Sequence, residues 1–210
     1  MDNLIYILFV AIFVPILLMT CLVEKKARQP LIFVLAGIFL SVFASEINAY
    51  LRNVLPMNTF EITIIVTPIT EEILKAFPIL LFATMFTPKK EAIFTASMAV
   101  GIGFAVLENA FYMLSSYSFN MVDAVVRAFG AGLMHGMCTL LVGVGILFVK
   151  KKQKLFVVGT FALLSTAITY HGIYNMLVQS DYKMIGYLLP IATYIPFMVW
   201  RIKKILRTKA

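Results

Sequence analysis

Long apolar runs alternate with short polar stretches along the whole of this 210-residue chain. A helix needs about 20 mainly apolar residues to cross the roughly 30 Å hydrocarbon layer of a bilayer. The pattern therefore predicts seven membrane spans joined by short connections, with nothing left over for a separate soluble domain. The predicted spans are residues 4–23, 31–50, 60–86, 92–114, 122–149, 155–179 and 184–200.

The composition agrees with this pattern, since 61% of the residues are hydrophobic and only 13% are charged. A water-soluble protein of this length needs far less apolar material. Only helices and closed barrels satisfy backbone polar groups in lipid, and runs of this length are too long for barrel strands. We predict an all-α integral membrane protein, a bundle of about seven transmembrane helices that forms one polytopic domain over residues 1–210.

The lysines and arginines collect at alternate connections between the predicted spans, which is the positive-inside pattern. This pattern predicts an N-terminus outside and a C-terminus in the cytoplasm. We expect the basic tail, residues 201–210, to lie against anionic lipid, so the net charge of +8 does not point to nucleic acid as a partner. Arg127, near the outer end of the fifth span, is expected to snorkel to the interface. The basic residues predicted to be cytoplasmic are Lys25, Lys26, Arg28, Lys89, Lys90, Lys150, Lys151, Lys152, Lys154, Arg201, Lys203, Lys204, Arg207 and Lys209.

Polar and ionisable side chains inside the predicted spans are the candidates for chemistry. An ionised group near the bilayer centre costs about 2.5 to 3.5 kcal/mol on insertion scales, so such groups face a cavity, a partner or a pathway. Counted inward from the predicted outer boundaries, the carboxylates and imidazoles differ in depth by only about 6 to 10 Å, so they can form one site in the outer half of the membrane. The candidates are Glu71, Glu72, Lys75, Glu108, Asn109, His135, His171 and Asn175.

Spacing within the third span gives its charged residues different neighbours. Glu71 and Lys75 lie four positions apart on one helical face, so we expect them to form an ion pair. Glu72 is rotated by about 100 degrees from Glu71, which leaves it available for chemistry. Pro68 and Pro78 flank these residues, and each can release a backbone carbonyl that a polar cavity then satisfies.

The chemistry of this set leaves two classes of function open. Carboxylates and imidazoles suit Zn²⁺, and a carboxylate that is not a ligand can act as the general base of a hydrolase. The same side chains line the pathways of proton-coupled and cation transporters. The spacing matches no soluble zinc motif such as H-E-x-x-H, so the residues alone do not choose between an enzyme and a transporter.

The order of the motifs along the chain resembles that of the PrsW family of intramembrane proteases. The motifs are E-E-x-x-K at 71–75, GFAVLEN at 103–109, the isolated His135 and H-x-x-x-N at 171–175, within a motif-bearing core of about residues 60–179. The family is similar to the type II CAAX prenyl endopeptidases and Abi proteins, whose pattern is E-E-x-x-x-R, F-x-x-x-H and H-x-x-x-N. Ala76 stands in place of their arginine and Glu108 in place of their first histidine, which favours the PrsW family.

The resemblance implies a membrane-embedded peptidase. Its substrate would be a membrane-anchored protein such as an anti-sigma factor. Cleavage would occur near the extracytoplasmic side, as the site-1-type step of regulated intramembrane proteolysis, and the predicted topology agrees with that side.

The resemblance also implies roles for the candidate residues. Glu71 or Glu72 would remove a proton from water and return it to the leaving amine, while Lys75 orients Glu71. Asn175, with Asn109, would donate hydrogen bonds to the oxyanion. The residues that either bind Zn²⁺ or form a metal-free hydrogen-bonded set are Glu108, His135 and His171.

Overall fold

The fold is all-helical. The structure is a computed structural model, and it describes residues 3–86, 88–115, 121–151 and 156–207. Within these ranges there is no strand. A helical turn, Thr59–Glu61, and a π-helical segment, Ile62–Val66, lead into the third long helix, and a second π-helical segment, Phe156–Thr160, leads into the sixth. The long helices are α1 (Leu4–Leu22), α2 (Lys25–Val54), α3 (Thr67–Met85), α4 (Lys90–Ser115), α5 (Met121–Lys151), α6 (Phe161–Val178) and α7 (Lys183–Arg207).

These seven helices coincide with the seven predicted spans, but they differ in how well each suits a membrane. Among the described residues, four helices are long and apolar enough to cross a bilayer, namely α1, α2, α4 and α5. In α3, the charges of Glu71, Glu72 and Lys75 lower the hydropathy. The number of spans and their orientation therefore stay predictions. Lys152, Lys154 and Lys209, on which part of the predicted orientation depends, lie outside the described residues.

Helix α4 lies between α2 and α5, and glycines bring the backbones together on both sides. A Cβ atom placed on Gly37 of α2 would lie 2.1 Å from the carbonyl oxygen of Val100 in α4. A Cβ atom on Gly101 of α4 would lie 2.4 Å from the carbonyl oxygen of His135 in α5. The resulting close packing holds the helices that carry the site's polar residues at a fixed separation.

Replacing Gly37 with alanine should destabilise the bundle by about 1 to 3 kcal/mol, because the added methyl group meets backbone that cannot move aside as a side chain can. Gly132→Ala is the matched control, since a Cβ atom there meets nothing within 4 Å. We expect that variant to be neutral or slightly more stable, because alanine favours helix over glycine. Thermal unfolding of the detergent-solubilised protein measures both, and equal effects would contradict the close contact at Gly37.

Candidate active site

Helices α3, α4, α5 and α6 each contribute to one polar cluster inside the bundle. Most of its side chains are almost wholly buried, His135 and His171 being 1% exposed, whereas the Glu108 side chain is 32% exposed. Four elements far apart in sequence thus place their ionisable groups together, as their shared depth predicts. The members of this polar cluster are Glu71, Glu72, Lys75, Glu108, His135 and His171.

One carboxylate oxygen of Glu72, on α3, contacts α6 directly and is connected to α5 through Lys75. Glu72 Oε1 lies 2.6 Å from Lys75 Nζ and 2.8 Å from His171 Nδ1, and Lys75 Nζ lies 2.8 Å from His135 Nδ1. The predicted pairing of Lys75 with Glu71 is therefore wrong, because Lys75 contacts the glutamate three residues before it, which is also a neighbour on a helical face. Both contacts of Glu72 are made by the same oxygen, Oε1.

The partners of the two histidines determine which ring nitrogens carry hydrogen. An ammonium group only donates, so His135 Nδ1 accepts from Lys75, and the opposite nitrogen, Nε2, donates to Glu108 Oε2 at 2.5 Å. An ionised carboxylate only accepts, so His171 Nδ1 donates to Glu72. In the neutral ring, this contact puts the hydrogen on Nδ1 and the lone pair on Nε2, which lies 3.8 Å from Glu71 Oε2.

Glu71 faces a different environment from Glu72. In both residues the Oε2 atom is buried and has no hydrogen-bond partner among the described residues, so the difference lies in what surrounds them. Glu71 and Glu108 line a cavity of about 610 Å³ that extends to Arg52 and Gln179, whereas Glu72 is not among the lining residues. A molecule in the cavity therefore meets the carboxylates of Glu71 and Glu108.

The cluster also contains a group suited to a metal ion. Glu71, His135 and His171 each offer one ligand atom, and these atoms lie within 4.8 Å of one another. The unpartnered oxygen of Glu71 and the lone pair on His171 Nε2 fit this role, and Glu72 orients the His171 ring as carboxylates do in histidine metal sites. The sequence predicted Glu108 with the two histidines; here Glu108 contacts His135.

Asn175 joins α6 to the start of α3. In the π-helical segment, the Thr67 N–H bonds to the carbonyl of Ile62, five residues earlier. The next residue is Pro68, which has no N–H, so the carbonyl of Thr63 lacks its backbone donor. Asn175 Nδ2 donates to that oxygen at 3.0 Å. The sequence-based expectation that Pro68 releases a carbonyl is confirmed, and an α6 side chain satisfies it.

Arg127 belongs to the site, although the sequence suggested a snorkelling side chain. It is only 4% exposed and lines the cavity. Its guanidinium carbon lies 3.7 Å from the centre of the Tyr112 ring, and one terminal nitrogen lies 3.9 Å from Glu108 Oε1. The sequence does contain a signal, because Arg127 precedes His135 by eight residues and Tyr112 follows Glu108 by four, both helical repeats.

Asn109 occupies a less central place than its neighbour Glu108. It is buried and its Oδ1 atom has no hydrogen-bond partner among the described residues, but it does not line the cavity. Asn175, the other asparagine that the sequence predicted for the site, does line the cavity.

Comparison with known proteins gives one match. The model of a family described as PrsW family intramembrane metalloprotease matches residues 25–201. No curated protein and no solved structure matches the chain. The matched range contains every residue of the polar cluster.

Asn175→Ala should lower the stability by about 1 to 3 kcal/mol, because the buried carbonyl of Thr63 loses its donor. Adding Pro68→Ala should recover part of that loss, since the new backbone N–H can bond to the same carbonyl. Pro78→Ala, a change at the other proline of α3, is the matched control and should change the stability of the wild type and of Asn175→Ala by equal amounts, whereas Pro68→Ala should favour Asn175→Ala. Thermal unfolding in detergent measures all of these variants. A double variant no more stable than Asn175→Ala alone would contradict the bracing role.

Proposed function

Because the chain belongs to the PrsW family of intramembrane metalloproteases, we propose that it cleaves a membrane-anchored protein near the extracytoplasmic side of a bacterial plasma membrane. It is a peptidase and a multi-pass membrane protein. We propose an anti-sigma factor as the substrate and the site-1-type step of regulated intramembrane proteolysis as the reaction. In support, the cavity extends from Glu71 to Arg52 and Gln179, at the helix ends predicted to lie outside.

The observation that carries this proposal is the unpartnered oxygen of Glu71. Glu71 lines the cavity, which Glu72 does not, and its Oε2 atom lies 3.8 Å from His171 Nε2, a separation that one bridging water molecule can span. Glu71 accepts the proton of that water as the oxygen attacks the scissile carbonyl. It then returns the proton to the leaving amine, as a general acid.

Glu72 and Lys75 act as positioning residues in this scheme. Glu72 accepts from His171 Nδ1, which fixes the ring so that Nε2 points its lone pair toward Glu71. Lys75 compensates the buried charge of Glu72 and simultaneously holds the His135 ring. Neither residue lines the cavity, so neither contacts the substrate directly.

Asn175 and Arg127 are the candidates for stabilising the oxyanion. The amide nitrogen of Asn175 has two hydrogens, one of which bonds to Thr63, so the other is available to an oxygen in the cavity. The Arg127 guanidinium supplies positive charge along the same wall. Donors that are held in place before the reaction stabilise the transition state without the cost of reorganisation.

The metal named in the family description fits the same atoms. Glu71, His135 and His171 would hold the ion. Glu71 would bind through one carboxylate oxygen and keep the other to accept the proton, and His135 would have to give up both its Nε2 hydrogen and its contact with Glu108. Glu108, which the sequence predicted as a ligand, would remain beside it. When bound, such an ion lowers the pKa of water and polarises the scissile carbonyl.

Glu71→Gln should reduce the cleavage rate by at least about 100-fold, because an amide cannot accept the proton from water. Glu24→Gln is the matched control: the same chemical change at an exposed residue before α2, which should leave cleavage unaltered. A survey of new protein N-termini in bacterial membranes that express each variant gives the measurement. Termini that persist at wild-type levels with Glu71→Gln would overturn the assignment of the base.

The folded wild-type protein should bind about one Zn²⁺ per chain, and His171→Ala and Glu71→Gln should each weaken binding by at least about tenfold. Elemental analysis after dialysis against buffered Zn²⁺ gives the stoichiometry independently of activity. Glu24→Gln again serves as the control. If the folded wild type binds no ion, activation of water is left to Glu71 and His171 alone.

A further inference from the structure

A polar stripe runs along one face of α2, a helix otherwise suited to lipid. Ser41, Ser45, Asn48 and Arg52 follow one another at intervals of four, three and four residues, and all of them line the cavity. That spacing places them on a single helical face. Polar groups at membrane depth are costly unless they meet a partner or water, so this face is adapted to a polar occupant.

A second polar stripe leads to the reactive carboxylate from the opposite wall. Thr59, Thr63 and Thr67 line the cavity at four-residue intervals, and the next member of the series is Glu71. In an α-helix each four-residue step turns the face by about 40 degrees. The wider turn of the intervening π-helical segment offsets part of that drift, which keeps the series along one wall.

Asn48 carries a buried hydrogen-bond acceptor that no group in the described part of the protein satisfies. The residue is 8% exposed and lines the cavity, yet its Oδ1 atom has no partner among the described residues. An unsatisfied buried acceptor lowers the stability of the protein, and a ligand that donates to this acceptor recovers the loss.

An unwound peptide is the occupant whose chemistry matches these walls. A substrate helix satisfies its backbone groups internally and shields the carbonyl that must be attacked. Once unwound inside the bundle, its N–H and C=O groups need partners, because lipid offers none. The stripe from Ser41 to Arg52 extends over roughly 16 Å, the length of about five residues in extended conformation.

We propose that the space between these two stripes is a substrate subsite that holds about five extended residues next to the cleaved bond. Asn48 Oδ1 accepts a backbone N–H of that segment. Recognition is through the peptide backbone, so the enzyme selects segments that unwind readily more than it selects particular side chains. This inference rests on the proposed function, because the cleaved bond of the substrate must lie next to Glu71.

The test uses a library of peptides, each with ten randomised residues joined to a transmembrane segment of alternating leucine and alanine. The peptides are reconstituted in liposomes together with the full-length protein. A member that the wild type cleaves and Glu71→Gln does not is resynthesised with N-methyl groups, one at each position near the cleaved bond. In the wild type, methylation at one position should raise KM at least tenfold and leave kcat within about twofold.

The same peptides are then assayed with Asn48→Ala, in which that KM penalty should fall below twofold, and with Asn48→Asp, in which the acceptor and the penalty should persist. Gln29→Ala, a change near the other end of α2, should keep the wild-type pattern. Each ratio compares two peptides with one enzyme, so a variant that folds poorly does not alter it.

The outcomes separate the two proposals. If no library member is cleaved by the wild type, the proposed function fails, and the subsite fails with it. If members are cleaved but no N-methyl penalty depends on Asn48, the subsite is overturned and the protease assignment stands.

Discussion

The contact on which the rest of the site depends is the one between Glu72 and Lys75. Both side chains are fully buried, and neither charge could remain there alone. Removing one member of such a pair costs about 3 to 5 kcal/mol, because the other is left uncompensated. The pair also holds a histidine from each of two further helices, His135 through the ammonium and His171 through the carboxylate. One ion pair thus sets both the relative position of three helices and the hydrogen-bonding state of two imidazoles.

That ion pair explains why two adjacent glutamates can have different tasks. Successive residues of a helix point about 100 degrees apart, so Glu72 faces the histidines and Glu71 faces the cavity. Glu72 has its charge compensated and is not exposed to a substrate. Glu71 lines the cavity and has an oxygen without a partner, which costs stability and is the acceptor that our proposal assigns to the proton of water.

The entry to α3 connects this chemistry to the shape of the cavity. Pro68 and the π-helical segment before it leave the Thr63 carbonyl to Asn175, which ties α6 to the wall that leads to Glu71. The facing wall comes from α2, whose distance is set by the close contact at Gly37. A break in regular helix geometry is tolerated at this depth because a protein side chain, Asn175, satisfies the Thr63 carbonyl.

The sequence by itself determined the helical class, the approximate places of the long helices and most of the ionisable residues that meet, because the length of apolar runs and the cost of buried charge are local properties of the chain. Several helix ends differ from the predicted ones by six or seven residues. The sequence could not assign partners. Glu71 and Glu72 both have a helical neighbour in Lys75, and only the positions of α5 and α6 show which one the lysine contacts. Arg127 was misplaced for the same reason, since a position near a helix end suits either the interface or a cavity. Tertiary structure decided these points because hydrogen bonds and cavities depend on how helices approach one another, and residues far apart in sequence control that approach.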